Sequence, residues 1–209
     1  AHSALMRCRV SSNGWDRVIA ELESLNHKYV AIGFFGEGND RLLTIVRANE
    51  FGCTITPKNG QWLTIPTKDT PMGSDGQPMP AKEIPVLFRP KGKKILAVSD
   101  GGKLTVMYYL VKKVTIPARP FIRTTVANNF AKYQQMVRQG IDHIAFDGWS
   151  ADDMLNWIGA RAAHDIMQTI TGWKKPANAP ATIARKGSTH PLEDTGAMRR
   201  SVTWKVMED

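Results

Sequence analysis

Two prolines, Pro117 and Pro120, divide this 209-residue chain into two kinds of pattern. Before them many apolar residues alternate with polar ones; after them they recur every three or four positions. Proline cannot donate to a strand ladder, and it pushes the residue before it out of the helical region. A strand therefore ends near Ile116 and a helix starts soon after. Within residues 104–116, Leu104, Val106, Tyr108, Leu110, Val114 and Ile116 share one face by the period of two, interrupted only by Lys112. Beyond the prolines, Val126, Phe130, Tyr133, Val137, Ile141 and Ile144 form one helical stripe, broken at Gly148. Ser150 with Asp153 reads as a capping-box start. Leu155, Ile158, Ala162, Ile166 and Ile170 then mark a second long helix ending at Gly172. Two such helices pair as an antiparallel hairpin.

The remainder is mixed. Residues 7–11 read as a short strand. Asn13 is placed to cap a helix striped by Trp15, Val18, Ile19, Leu22 and Leu25. Residues 29–35 are β-branched and aromatic, hence a strand. A helix over 41–51 stops at Gly52. Residues 53–56 and 61–66 suggest a hairpin around Asn59-Gly60. Residues 69–83 carry three prolines and two glycines and read as an exposed loop. Strands follow at 84–89 and 94–98. Past a Pro/Ala-rich stretch comes a short helix over 181–186. Val202, Trp204 and Val206 alternate in a final strand. The expected class is α+β: a small twisted, mostly antiparallel sheet packed by helices, with a C-terminal helical hairpin and a last strand. One domain is expected over 1–209, with an arm-like segment at 173–195.

Several catalytic patterns can be weighed and set aside. Asp194-Thr195-Gly196-Ala197 has the letters of an aspartic-protease turn. Glu193 puts a charge where that turn follows an apolar strand, and a short helix opening at Gly196 accounts for the residues. Ser188, His190 and Asp194 lie within one loop without a nucleophile elbow, whereas triad members converge from separated segments. Gly33, Gly36 and Gly38 run in the reverse order of a dinucleotide fingerprint. The five histidines are scattered, and the two cysteines, Cys8 and Cys53, supply neither a disulfide framework nor a four-cysteine zinc site. No catalysis, cofactor or metal is expected. No run of about 18 apolar residues occurs, so no transmembrane helix is expected.

The last third carries a more specific signal. Pro176-Ala177-Asn178-Ala179-Pro180-Ala181-Thr182-Ile183-Ala184-Arg185-Lys186-Gly187, with Pro191-Leu192-Glu193-Asp194-Thr195-Gly196-Ala197-Met198-Arg199-Arg200-Ser201-Val202, resembles the ending of tailed-bacteriophage neck and tail-completion proteins. Ala48-Asn49-Glu50-Phe51-Gly52 resembles that family's short "H/N-E-F-G" helix end, with Asn49 in place of the commoner histidine, and Ile116-Pro117-Ala118-Arg119-Pro120-Phe121-Ile122-Arg123 its "I-P-x-R-P-F-I/L-R" junction. The resemblance implies a structural virion protein of the phage neck, assembled in the host cytoplasm. It forms a ring, commonly a hexamer, at the head–tail junction. It completes the tail and joins it to the connector. The implied partners are further copies of itself, the connector or head-closure protein, and the tail terminator or tail tube. Genome DNA in the lumen is a further one, and no membrane is involved. Arg119, Arg123, Arg185, Lys186, Arg199 and Arg200 cluster beside these motifs and are the expected subunit-contact residues.

Charge adds a second expectation. There are 28 Lys and Arg against 19 Asp and Glu, a formal net of +9. Nine bases lie between Arg89 and Arg123 with Asp100 the lone acid, and seven between Lys174 and Lys205. The helical hairpin between them carries Asp142, Asp147, Asp152, Asp153 and Asp165. Complementary neighbours in a ring would use such a division. The alternative function is a non-specific DNA-binding module, since no helix-turn-helix, zinc-finger or RNP pattern is present to read sequence.

Overall fold

Strand β6 (Val114–Ile116) closes just before Pro117, and helix α3 (Phe121–Phe146) opens just after Pro120, so the change of period falls where the prolines place it. The computed structural model describes residues 12–36, 38, 40–192 and 196–209; residues 7–11 lie outside them. The chain is α+β with small antiparallel sheets. Where one domain was expected, it divides into two compact units, each assembled from separated stretches.

The first unit comprises Ala1–Phe35, Ile122–Thr169 and Arg200–Asp209. It contains α1 (Ser12–Ser24), β1 (Lys28–Gly33), nearly all of α3 and of α4 (Ala151–Gly172), and β7 (Thr203–Glu208). β1 and β7 pair antiparallel, with Val30 opposite Val206 and Ile32 opposite Trp204. The final strand thus finds a partner from the start of the chain. The long helices are antiparallel: Thr125 Oγ1 donates to Thr169 Oγ1 (2.7 Å), Tyr133 Oη donates to Asp165 (2.9 Å), and Gly140 lies against Met154. Burial and the Asp165 hydrogen bond both hold the Tyr133 phenol above its ordinary pKa. Ser150 and Asp153 form the expected reciprocal cap at the start of α4 (2.9 and 3.1 Å). Helix α1 crosses the α3–α4 turn. Its Arg17 donates to the Ile144 and Trp149 carbonyls (2.8 and 3.1 Å), and its Glu21 accepts from the Ala151 N–H (2.8 Å). A cation thus meets the C-terminal end of α3 and an anion the N-terminal end of α4, as the helix dipoles favour. The core between them is Val18, Met136, Ile144, Met154 and Ile158.

The stripe expected on α3 is buried only in part: Ile144 is fully buried and Tyr133 half-buried against the core, while its other four positions face outward. Phe121, Thr125, Met136, Gly140 and Ile144 face inward. Val126, Phe130, Val137 and Ile141 stay 46, 58, 41 and 39 % exposed. The exposed row lies one residue on from the buried one, about 100° around the helix.

Gly159 marks a close approach of α4 to the β1–β7 pair. A Cβ there would sit 2.4 Å from Trp204 Cδ1 and 2.8 Å from Val30 Cγ2. Gly159→Ala should therefore destabilise by about 1–2 kcal/mol, overpacking outweighing the roughly 1 kcal/mol that alanine gains in a helix. The urea midpoint checks this, and a stabilised variant would mean that the indole moves aside freely.

The second unit comprises Gly36–Phe121 and Ile170–Arg199. It contains α2 (Asp40–Phe51), β2 (Cys53–Ile55), β3 (Leu63–Pro66), β4 (Ile95–Asp100), β5 (Lys103–Val111), β6 and α5 (Pro180–Lys186), and most of α6 (Ala197–Arg200). The run 104–116 is two strands, broken at Lys112-Lys113, and each half takes a different partner. β5 is the centre of a three-stranded sheet ordered β3-β5-β4, while β6 pairs with β2. The expected 53–66 hairpin is therefore absent: β2 and β3 enter different sheets, because the two halves of the later strand offer longer-range ladders. β1 and β2 also lie in different sheets, so the Gly33–Gly38 stretch is not part of a βαβ unit. Residues 84–89 form only one bridge, Phe88 to Ala97, since Pro85 and Pro90 remove ladder donors. The β4–β5 hairpin turns at Gly101-Gly102, both at positive φ as a two-residue turn needs.

The 69–83 loop is exposed over much of its length yet tied down. Thr70 is buried and donates to the Met107 carbonyl, Met79 N–H donates to the Pro71 carbonyl (2.8 Å), and Tyr108 Oη donates to the Met79 carbonyl. Among the described residues no helix is long and apolar enough to cross a membrane.

Candidate functional site

Pro120 holds Arg119 out of the helical region, so α3 begins only at Phe121. The β2–β6 ladder, with Cys53 opposite Ile116, then brings Arg119 to the end of α2. The Arg119 N–H donates to the Asn49 carbonyl (2.6 Å), which α2 itself leaves without a helical donor. Its guanidinium turns inward and is only 4 % exposed. Nε donates to the Pro176 carbonyl (2.9 Å) and one terminal nitrogen to Asn49 Oδ1 (2.9 Å). The other terminal nitrogen donates to the Ala177 carbonyl (3.3 Å) and Asn178 Oδ1 (3.2 Å). Both asparagine amides are themselves oriented. Asn49 Nδ2 donates to the Ile45 carbonyl (2.9 Å), and Asn178 Nδ2 to the His190 carbonyl (3.1 Å).

Among the described residues every acceptor of this guanidinium is neutral. Burial without a carboxylate partner lowers the Arg119 pKa from its ordinary value. The hydrogen bonds offset that desolvation, each of those made by a charged donor being worth about 1.5–3 kcal/mol. A planar fork with donors in fixed directions suits four acceptors from two segments; an ammonium does not. Among the described residues the groups that meet at the guanidinium are carbonyl and amide oxygens, which suits the knot to positioning. It joins the end of α2, the β6–α3 junction and residues 176–178. These are the three stretches singled out in the sequence as motif-like.

Arg119 is therefore engaged inside its unit and not displayed as a subunit-contact side chain. The other expected contact residues are placed differently. Arg123 is exposed on the first turn of α3. Arg199 and Arg200 are exposed on α6. Lys186, half-buried on α5, donates to the His190 carbonyl (3.2 Å). The side chain of Arg185 lies outside the described residues, as do Glu193, Asp194 and Thr195. Pro180 opens α5 at its first position and Gly187, left-handed at φ 67°, closes it.

Of the triad letters, Asp194 lies outside the described residues, and Ser188 and His190 meet only through a backbone contact. Ser188 Oγ accepts from the His190 backbone N–H (3.2 Å), a local turn contact. His143 bonds Asp147 (2.6 Å) and stacks on Trp149 with ring centres 4.3 Å apart. That is an aromatic lock at the end of α3. No three His, Cys, Asp or Glu among the described residues converge as metal ligands. In the first unit an open groove of ≈ 290 Å³ is lined by Ile32, Val126, Tyr133 and Ile166 among others. It is almost wholly apolar, and the Tyr133 hydroxyl there is already given to Asp165.

A second constellation was not foreseen. Trp62 stands one step before Leu63, which pairs with Val111, so Lys112 lies beside it. Lys94 stands one step before Ile95 on the other side of β5. Arg89 is fixed by Nε donating to the Lys93 carbonyl (2.8 Å). Three cationic groups thereby surround one indole: the Arg89 guanidinium carbon at 5.2 Å, Lys112 Nζ at 5.8 Å and Lys94 Nζ at 5.9 Å from the ring centre. The sequence signal was Lys112, the one residue out of step in the alternating run. Its partners are far apart in the chain, and only strand register unites them. Comparison with protein-family models, curated proteins and solved structures finds no match.

Proposed function

We propose that this chain is a structural virion protein of a tailed-phage neck. Copies of it form a ring at the head–tail junction that completes the tail and joins it to the connector. The observation that carries this reading is the Arg119 knot. Asn49, Arg119 and Pro176–Asn178 come one from each of the three phage-like stretches, and they interlock at a single buried group. Motif residues that share one structural task support a common origin for the three stretches. The knot sets the start of the segment leading through α5 to Arg199 and Arg200, which remain the contact candidates. The exposed row Val126, Phe130, Val137 and Ile141 supports self-association, since a ring subunit must keep apolar surface for its neighbours.

Mass measurement tests the reading, on the purified chain alone and on the chain co-expressed with the products of adjacent genes. A closed ring in either setting is expected. A monomer in both overturns it. Phe130→Glu combined with Ile141→Glu should leave stability within about 0.5 kcal/mol, as exposed substitutions do, while abolishing the ring. A double variant that still assembles to full mass would remove the α3 row from the contact.

The charge distribution favours a second, compatible reading, contact with DNA. The 28 bases divide 18 to the second unit and 10 to the first; the 19 acids divide 9 and 10. The first unit is thus neutral and the whole +9 belongs to the second.

A further inference from the structure

The Trp62 end of the β3-β5-β4 sheet gathers like charges around one indole. Arg89, Lys94 and Lys112 all lie within 6 Å of the same ring centre. Among the described residues none of the three has a carboxylate within ion-pair distance, and the same holds for the adjacent Lys91, Lys93 and Lys113. The sequence shows why. Residues 53–68, 84–99 and 101–121 supply β2 to β6 and their turns, and they contain ten Lys or Arg and not one Asp or Glu. The only acid in any of these strands is Asp100, at the far end of β4 from Lys94. Convergent cations repel one another, and folding offers no internal return for holding them together. The indole lowers that cost by cation–π attraction, about 0.5–1 kcal/mol per exposed contact. The arrangement gains far more if a polyanion lies across it.

We propose that this sheet end binds the nucleic-acid backbone without regard to sequence, Arg89, Lys94 and Lys112 taking successive phosphates while the Trp62 indole stacks on a base. The aromatic ring is what favours nucleic acid over an acidic protein surface. Cations alone would serve either, whereas a π-face set among cations matches the alternation of phosphate and base along a strand. Lys91 and Lys93, on the turn that carries Arg89, and Lys113, next to Lys112, extend the cationic surface along the same edge. This inference is independent of the ring reading, because binding is measurable on the isolated chain.

The test is fluorescence anisotropy with a labelled oligo-dT strand and a labelled duplex across a salt series. Binding is expected to weaken about a thousand-fold between 50 and 200 mM salt if about six cations take part. Combining Arg89→Gln, Lys94→Gln and Lys112→Gln should lower the slope of log K against log salt by about two on the single strand, near 0.7 per contact. Trp62→Ala should weaken oligo-dT binding at least about fivefold, and Trp62→Phe should restore most of it. The three charge variants are at the surface and keep the test open should Trp62→Ala fail to fold. The control combines Lys82→Gln, Lys174→Gln and Lys175→Gln, the same charge change away from this edge. An equal loss of slope in that control would overturn the proposal, as would poly-glutamate binding as tightly as oligo-dT with the same response to Trp62→Ala.

Discussion

Arg119→Ala should destabilise the second unit by about 4 kcal/mol. The substitution leaves Asn49 Oδ1, Asn178 Oδ1 and the Pro176 and Ala177 carbonyls without their shared donor, in a site where the guanidinium is 4 % exposed. An acceptor left unmade costs up to about 1–3 kcal/mol, and water reaching these half-buried and exposed residues recovers part of that. Against a total stability on the order of 5–15 kcal/mol, a loss this size is visible in any denaturation curve. Arg119→Lys should cost about 2–3 kcal/mol, because a compact ammonium cannot reach four acceptors from two segments at once. Asn49→Ala and Asn178→Ala should each cost about 1–2 kcal/mol and should add little once Arg119 is gone. Hydrogen exchange should speed up first at residues 176–178. A loss under 1 kcal/mol for Arg119→Ala, or full additivity with Asn178→Ala, would show that the three segments hold together without the arginine.

Gly52→Val should cost about 3 kcal/mol or more, through a different physical route to the same place. Gly52 has φ 70°, a conformation that costs an L-residue about 1–2 kcal/mol. A Cβ there would also lie 2.8 Å from the Ala118 nitrogen and 3.0 Å from the Ile116 carbonyl oxygen. Both are backbone atoms, held by the pairing of Cys53 with Ile116, so neither can swing aside. Gly52→Ala meets the same contacts without the branched side chain and should cost about 2 kcal/mol. The ordering Val worse than Ala, read from urea midpoints, checks the contact. Equal and small losses would place the cost in φ alone.

The two predictions meet at one point in the fold. Gly52 lets the chain turn from α2 into β2, β2 aligns β6, and β6 delivers Arg119 to Asn49. Each step is a backbone event, and the guanidinium then records that all of them have occurred. A residue with that position reports on folding of the whole junction.

Local chemistry decided much of the fold in advance. The break at Pro117 and Pro120, the Ser150–Asp153 cap, the stop at Gly52, the two long helices and the last strand all follow from dihedral limits and side-chain hydrogen bonds reaching no more than four residues. The sequence alone also determined that the chain is α+β and that its bases outnumber its acids. What it could not determine were choices between partners at long range. Asn59-Gly60 can turn a hairpin, yet β2 and β3 each gain a ladder with residues about forty to sixty positions away, and turn preference is too weak to compete. On α3 two apolar rows stand one residue apart. The buried row contains Thr125 and Gly140, poor hydrophobic signals, because there the neighbours need a hydroxyl for Thr169 and room for Met154. Arg119 looked like a surface charge because its acceptors are neutral and lie 70 and nearly 60 residues off. Trp62, Arg89, Lys94 and Lys112 became one site only through the register of three strands. Burial and convergence belong to the tertiary structure, since they depend on which distant groups arrive, and no local preference encodes that.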